Sequence, residues 1–404
     1  MKFLYLKQAI KAKGYTLQKV ASACGISKGY LSQLINGKVE EPSAQKLQNL
    51  HKFLKIDFPK HKQNEGVIFG KFYPLHTGHV YLIQRAASQV DKLHIILCHD
   101  EPRDKKLFDE SKMSKQPTVS DRLRWLLQTF KYQQNIKIHL FNEIGIEPYP
   151  NGWQGWSEKV KEFLNEQAII PDFIYSSERG DAQKYKELFN AQTHLIDPDR
   201  QFMPISGERI RLNPFKYWEY IPTEVKPFFV RTVAVIGAEQ TGKSTLVNKL
   251  ANTFNTTSAW QYYKEYLFSN LGNDEKALQH SDYDKIALGH AQYIDFAVKY
   301  ANRVAFIDTD FVTLQAQCKK HIGKEHSFIQ AMLEKYRFDL VLLIGNEQTK
   351  EKDKKQPVRT DTQKMITDIL NRNGIEFVNV GLYDHDHRYL TCVEHINKLL
   401  DLDS

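Results

Sequence analysis

The sequence predicts a multidomain protein: an all-α domain followed by two α/β domains, each built on a parallel sheet. Three observations carry this. Residues 1–60 read as helical throughout, with no strand alternation. From Gly66 onward short apolar runs alternate with helical patterns, and the alternation restarts at Phe229; such alternation argues for parallel βαβ units. Each α/β block also opens with a glycine-bearing turn between an apolar run and a helix, "GKFYPLHTGH" at Gly70–His79 and "GAEQTGKS" at Gly237–Ser244. The expected boundaries are 1–60, 66–228 with a Pro-rich connector, and 229–404, with the polar stretch His61–Glu65 as a linker.

Of the 404 residues, 41% are hydrophobic, ample for packed cores. The longest apolar runs, such as His94–Cys98 and Leu340–Ile344, fall far short of the roughly 20 residues a membrane span needs. The opening "MKFLYLKQAIKAKG" is too short in apolar residues for a secretory core. No membrane insertion is expected. Cys24, Cys98, Cys318 and Cys392 have no paired spacing. They read as reduced thiols of a cytoplasmic protein, neither a disulfide framework nor a zinc site.

The net charge of +8 is unevenly placed. Residues 1–64 hold twelve lysines against three acids, Glu40, Glu41 and Asp57, which is +9 and leaves −1 for the rest. A basic patch confined to one small domain is the electrostatic footprint of nucleic-acid binding. Within it, Thr16 precedes apolar positions at helical spacing, Gly25 can take a left-handed turn, and Ser27 precedes a second helix through Asn36. Ala21, Ile26, Leu31 and Leu34 would pack the two helices together. This is helix-turn-helix spacing, with Ser27, Lys28, Tyr30, Ser32 and Gln33 facing the major groove of operator DNA. The block resembles the repressor-like helix-turn-helix family. One module binds weakly, so a homo-oligomer on repeated half-sites is expected.

In the middle block, strands are expected at Gly66–Gly70, His94–Cys98, Ile136–Phe141, Phe173–Ser176 and Thr193–Ile196. Gly70 and the turn through Pro74 let backbone approach a ligand closely. Thr77-Gly78-His79 opens a helix, whose N-terminal N–H groups and dipole favour an anion, and His76 and His79 add donors to that anion. Such imidazoles would hold and neutralise a triphosphate without acting as nucleophiles. Two surface histidines or a metal pair would use the same residues, but no third ligand lies at a convincing spacing. The string resembles the G-x-F-x-P-x-H-x-G-H signature of the nucleotidylyltransferase superfamily. That resemblance implies an ATP site including Gly70, Lys71, Phe72, His76 and His79. It also implies a second marker, here Ile205-Ser206-Gly207-Glu208-Arg209-Ile210-Arg211, in which Ser206 and Arg211 grip phosphate. Many members carry Thr where this chain has Glu208, an acid beside a triphosphate. The implied reaction is in-line attack of a phosphate on the α-phosphorus of ATP, with Mg²⁺ assisting.

Pro214, Pro222 and Pro227 prevent Leu212–Phe228 from running as one helix. In the third block, Gly237-Ala238-Glu239-Gln240-Thr241-Gly242-Lys243-Ser244 matches G-x-x-x-x-G-K-[ST] in full, after an apolar strand and before a helix that starts with Thr245. Backbone N–H groups of this loop cradle phosphates, Lys243 reaches the β/γ oxygens and Ser244 ligates Mg²⁺. The strand Val304–Ile307 ends in Asp308-Thr309-Asp310. One acid would hold Mg²⁺, as Asp308 is placed to do, and the other would take the proton of an attacking hydroxyl; the spacing leaves the assignment open. Further strands are expected at Leu340–Ile344 and Phe377–Val380, and a lid at residues 346–361 with Lys354, Lys355 and Arg359.

The order of these three blocks, with the stretches Asp121–Gln133, Tyr217–Ala234 and Ser281–Asn302, resembles the trifunctional NAD-biosynthesis regulators over the whole chain. The resemblance implies a ribosylnicotinamide kinase that makes nicotinamide mononucleotide (NMN) from nicotinamide riboside and ATP. It implies an adenylyltransferase that converts NMN to NAD, and a repressor of NAD synthesis and uptake genes. Trp260, Tyr283 and Tyr293 are candidates to stack on the nicotinamide ring. Glu208 and the lid sequence Gln356–Asp361, where relatives often carry D-G-x-R, depart from the family pattern. They support an alternative: mainly a nucleotide-sensing repressor with weak adenylyl transfer. The motif residues handle ATP and are silent on the acceptor, so another adenylyltransferase substrate, such as pantetheine phosphate, also fits them.

Overall fold

The computed structural model describes residues 3–39, 42–56, 63–148, 150–345, 356–381 and 385–401, without the side chains of 356–360 and 385. Its contacts divide the chain into two compact units, 1–63 and 64–404.

The first unit is four helices: α1 Leu4–Ala12, α2 Leu17–Ala23, α3 Lys28–Ile35 and α4 Ala44–Leu54. Thr16 Oγ1 accepts from the Lys19 N–H and Ser27 Oγ from the Tyr30 N–H, so both expected caps satisfy free donors. Between them Gly25 sits at φ +68°, where a side chain would be strained. Ala21, Leu31 and Leu34 are buried with Leu6, Ile10, Leu50 and Leu54, and Ile26 packs at the edge of this core.

In the second unit the described residues form two five-stranded parallel sheets. The first holds β1 Glu65–Gly70, β2 Lys92–His99, β3 Ile136–Asn142, β4 Phe173–Ser176 and β5 Gln192–Leu195, in the order β3-β2-β1-β4-β5. The second holds β6 Arg231–Ile236, β7 Ser258–Ala259, β8 Val304–Asp308, β9 Leu340–Ile344 and β10 Val378–Val380, in the order β10-β9-β6-β8-β7. In each sheet the chain starts at the central strand, so the order reverses there. Ligands of open α/β sheets bind at that switch point, beyond the carboxyl ends of the strands. Both glycine turns sit there, after β1 and after β6. β7, only two residues long, escapes the sequence reading because it is too short to show alternation.

The proline-bearing connector forms a 3₁₀ turn at Trp218–Tyr220 and a short helix at Lys226–Phe229. It buries Phe215, Trp218, Ile221, Val225 and Phe229 in a core continuous with both sheets. The Arg303 guanidinium donates to the Phe215 carbonyl at 3.1 Å, and Lys112 pairs with Asp401 at 3.1 Å.

Candidate functional site

The exposed face of α3 carries Lys28 and Gln33, beside Ser27 at its start. Ser32 and Tyr30 are half-buried, and the Lys46 ammonium lies 4.4 Å over the Tyr30 ring. Lys28 and Gln33 are thus the candidates best placed to meet a base edge.

In the first sheet's site, His76 caps the helix Thr77–Ala87, its Nδ1 accepting from the His79 N–H at 3.4 Å. The two rings stack at 3.7 Å, and Phe72 sets its edge on His79 at 5.1 Å. Gly78 leaves room for the His76 ring, which a Cβ there would crowd at 3.0 Å. His79 Nδ1 and Thr77 Oγ1 are buried without a hydrogen-bond partner among the described residues. Burial holds His76 well below its ordinary range, with His79 and Arg200 nearby adding to it; burial first and Arg200 second bring His79 down to about 3. The imidazoles are therefore neutral in the unliganded protein. They bring polar ring atoms, and the charge lies on Arg200, Arg211 and the helix terminus.

Ser206 Oγ accepts from the Arg209 N–H at 3.3 Å, capping Gly207–Leu212, and Arg211 Nη1 donates to the Tyr73 carbonyl at 2.8 Å. The second marker thus closes onto the first across the site. Glu208 is exposed in that helix's first turn. Two expected ATP contacts have neighbours within the protein. The Lys71 ammonium lies between Asp104 (3.6 Å) and Glu143 (3.5 Å), and the Phe72 ring is buried against Gly70 as packing. The buried Arg122 pairs with Asp104 and donates to the Lys71 carbonyl at 3.0 Å. Arg200, Asp104 and Glu143 carry no motif signal, and Arg122 lies in the stretch Asp121–Gln133 with no role legible there; only the fold brings them to the turn.

The depressed histidines fix a pH effect. Unfolded histidine titrates near about 6.5, so below that value the unfolded chain binds protons that folded His76 and His79 refuse. Stability is expected to fall as pH drops through about 6.5 toward the folded values. Thermal unfolding of the ligand-free protein between about pH 7.5 and about pH 5.5 measures this. His79→Gln should show the shallower pH dependence; equal slopes would contradict the assignment.

In the second sheet's site, the loop turns through Gly237 (φ 146°), Gln240 (φ 60°) and Gly242 (φ 84°). A Cβ on Gly237 would stand 2.5 Å from the Ile344 carbonyl, so only glycine lets β6 and β9 approach there. Lys243 Nζ donates to the Ala238 carbonyl at 2.7 Å, and Thr241 Oγ1 to the same oxygen at 2.9 Å. Burial lowers Lys243 to about 8, with Asp308 opposing. Gln363 accepts from the Ala238 N–H, and the buried Arg388 donates to the Thr241 carbonyl, both at 2.9 Å; neither shows in the loop motif. Ser244 Oγ donates to Asp308 Oδ2 at 2.5 Å, the pairing expected of two groups that share a metal ion.

Asp310 is corrected. It is 2% exposed, caps the helix Phe311–Ile322 by accepting from the Thr313 N–H at 2.9 Å, and lines a separate 210 Å³ cavity with Tyr336 and Asp339. Thr309, at φ +75°, turns the chain between the two acids, and His290 Nε2 meets its carbonyl at 3.0 Å.

A 370 Å³ cavity lies over Gly237 and Glu239–Thr245, walled by Thr313 and Gln317. Beside it an 830 Å³ cavity, mostly apolar, is lined by Trp260, Tyr293, Phe296, Glu265 and Asp308. Trp260 and Tyr293 therefore share a cavity next to Ser244. Tyr283 does not: it is fully buried, with its hydroxyl 3.1 Å from His321 Nδ1, and is a core aromatic. The lid residues 346–355 and the side chain of Arg359 lie outside the described residues.

A helix-turn-helix unit and two parallel sheets, each with a phosphate-binding turn at its switch point, define a DNA-binding enzyme with two nucleotide sites. Family models agree: a helix-turn-helix matches residues 6–60, a cytidylyltransferase-like domain 67–213 and an AAA domain 232–388. The chain is 62% identical over 403 residues to the trifunctional NAD biosynthesis/regulator protein NadR of Salmonella typhimurium, covering 98% of each chain. The same figures hold for NadR of Escherichia coli. Crystal structures of a NadR protein, one with NR and one with NAD and AMP-PNP, share the fold at TM-score 0.68 and 24% identity. They cover 83% and 84% of this chain, and 95% and 96% of theirs. The chain belongs to the NadR family of trifunctional NAD biosynthesis/regulator proteins. Among the described residues no helix is long and apolar enough to cross a membrane.

Proposed function

We propose that the second sheet phosphorylates the 5′-hydroxyl of nicotinamide riboside, that the first adenylylates the resulting NMN to NAD, and that residues 1–60 bind operator DNA. The observation that carries the kinase assignment is the 830 Å³ aromatic cavity opening beside the Ser244–Asp308 pair. A cationic, planar nicotinamide ring suits Trp260 and Tyr293. The riboside hydroxyl attacks the γ-phosphorus, the bond to the β–γ bridging oxygen breaks, ADP leaves, and Asp308 stands where the hydroxyl proton is lost. Mg²⁺ would be held by Ser244, Asp308 and phosphate oxygens, and would neutralise charge there. A set of one hydroxyl and one carboxylate fits a metal held mainly by substrate oxygens and water.

In the first site NMN phosphate attacks the α-phosphorus of ATP and pyrophosphate leaves. His76, His79, Ser206 and Arg211 orient the triphosphate at two helix N-termini. Reaction in a cytoplasmic compartment suits four buried free thiols. The test is a product assay with Mg-ATP and either nicotinamide riboside or NMN. NMN from the first and NAD from the second support the reading; no NMN from the riboside would overturn it. NMN without NAD would favour the nucleotide-sensing alternative, which rests on Glu208 and the lid sequence Gln356–Asp361.

Removing residues 1–60 is expected to end operator binding and leave both activities in place. A gel shift retained by the shortened protein would contradict the assignment of DNA binding to α2 and α3.

A further inference from the structure

We infer that Lys264 supplies the cation that holds the transferring phosphoryl group between ATP and its acceptor. The inference rests on the kinase reading above. Three residues line both cavities of the second site: Ser244, Gln261 and Lys264. They mark the place where the phosphate cavity meets the acceptor cavity, and that is where phosphorus changes partners. Lys264 is the one cation among them.

The opposing acids are already engaged. Glu239 pairs with Lys320 at 3.5 Å. Glu275 accepts from the Tyr263 hydroxyl at 3.2 Å and lies 3.8 Å from His321. Glu265 accepts from the Tyr293 hydroxyl. Lys264 has no side-chain hydrogen bond or ion pair among the described residues, so its ammonium is available to a ligand. It is close enough that its charge works against that of Lys243. The two lysines are not equivalent. Lys243 is buried and tied to the Ala238 carbonyl, so it grips ATP from below. Lys264 is exposed on the helix Tyr262–Leu271 and lines both cavities. In a loose phosphoryl-transfer transition state charge spreads over the equatorial oxygens, and a cation there stabilises it more than the ground state.

The test uses the full chain and follows NMN formation from nicotinamide riboside and Mg-ATP for wild type, Lys264→Met and Lys264→Arg. Lys264→Met is expected to lower kcat by about 10²- to 10³-fold with little change in KM for either substrate. Lys264→Arg should recover most of the loss. NAD formation from NMN and the thermal shift produced by Mg-AMP-PNP should match wild type, which a merely structural role would not leave intact. Wild-type kcat in Lys264→Met, or a loss confined to KM, overturns the inference. A wild type that ignores the riboside sinks the acceptor assignment instead. The same kcat ratio is then read from ATP hydrolysis, where an unchanged rate overturns the role of Lys264.

Discussion

Lys243→Ala is expected to stop NMN formation from nicotinamide riboside while NAD formation from NMN continues. The Lys243 ammonium is buried beneath the glycine loop, held 2.7 Å from the Ala238 carbonyl, and sits where β- and γ-phosphate oxygens arrive. Its loss leaves developing charge on those oxygens without a fixed counter-charge, in a site partly closed to water. Removing one such preorganised donor costs about 10²–10³ in kcat, and the ground-state grip on ATP is lost as well. Burial lowers Lys243 to about 8, so it still carries its charge at neutral pH, and arriving phosphates favour that charged form further. Separate assays of the two half-reactions check this. A loss of NAD formation from NMN in the same variant would mean that the two sites are not independent.

His79→Ala is expected to do the reverse, lowering NAD formation by about 10²–10³-fold and sparing the kinase. His79 Nδ1 is buried with no hydrogen-bond partner among the described residues, in the first turn of the helix Thr77–Ala87. A buried polar atom without a partner has a desolvation cost that a ligand relieves. Because His79 is neutral when the site is empty, an arriving triphosphate raises its affinity for a proton. His79→Gln, which keeps a hydrogen-bonding group, should retain more activity than His79→Ala. Steady-state rates with NMN and Mg-ATP decide it. Unchanged kcat in His79→Ala would show that the first site binds nucleotide by other groups, and would favour the sensing alternative.

The difference between Lys71 and Lys243 shows how far motifs reach. Both lysines follow a glycine in a phosphate-binding string. Lys243 lies beneath its own glycine loop, 2.7 Å from the Ala238 carbonyl, because the loop's backbone places it. Lys71 is claimed by Asp104 and Glu143, which arrive from the ends of neighbouring elements and leave no mark near residue 71. Tyr283 makes the same point for aromatics. Its place with Tyr293 on one helix, Asp282–Tyr300, does not reveal that Tyr283 is buried in the core while Tyr293 lines a cavity.

The sequence by itself determined what is local: the two capped helices of the DNA-binding unit, both glycine turns, most of the parallel strands, and the lysine and serine of the phosphate loop. These follow from periodicity, capping and backbone freedom within about ten residues. Tertiary structure decided which groups converge. Asp308 and Asp310 are two apart in a strand-to-helix turn, and spacing alone leaves them equivalent. Thr309 at positive φ turns the chain between them. Asp308 meets Ser244 from 64 residues away, while Asp310 is spent on a helix cap. Lys264 gained its place in the same way, since the junction of two cavities exists only once β6, β7 and β8 lie side by side.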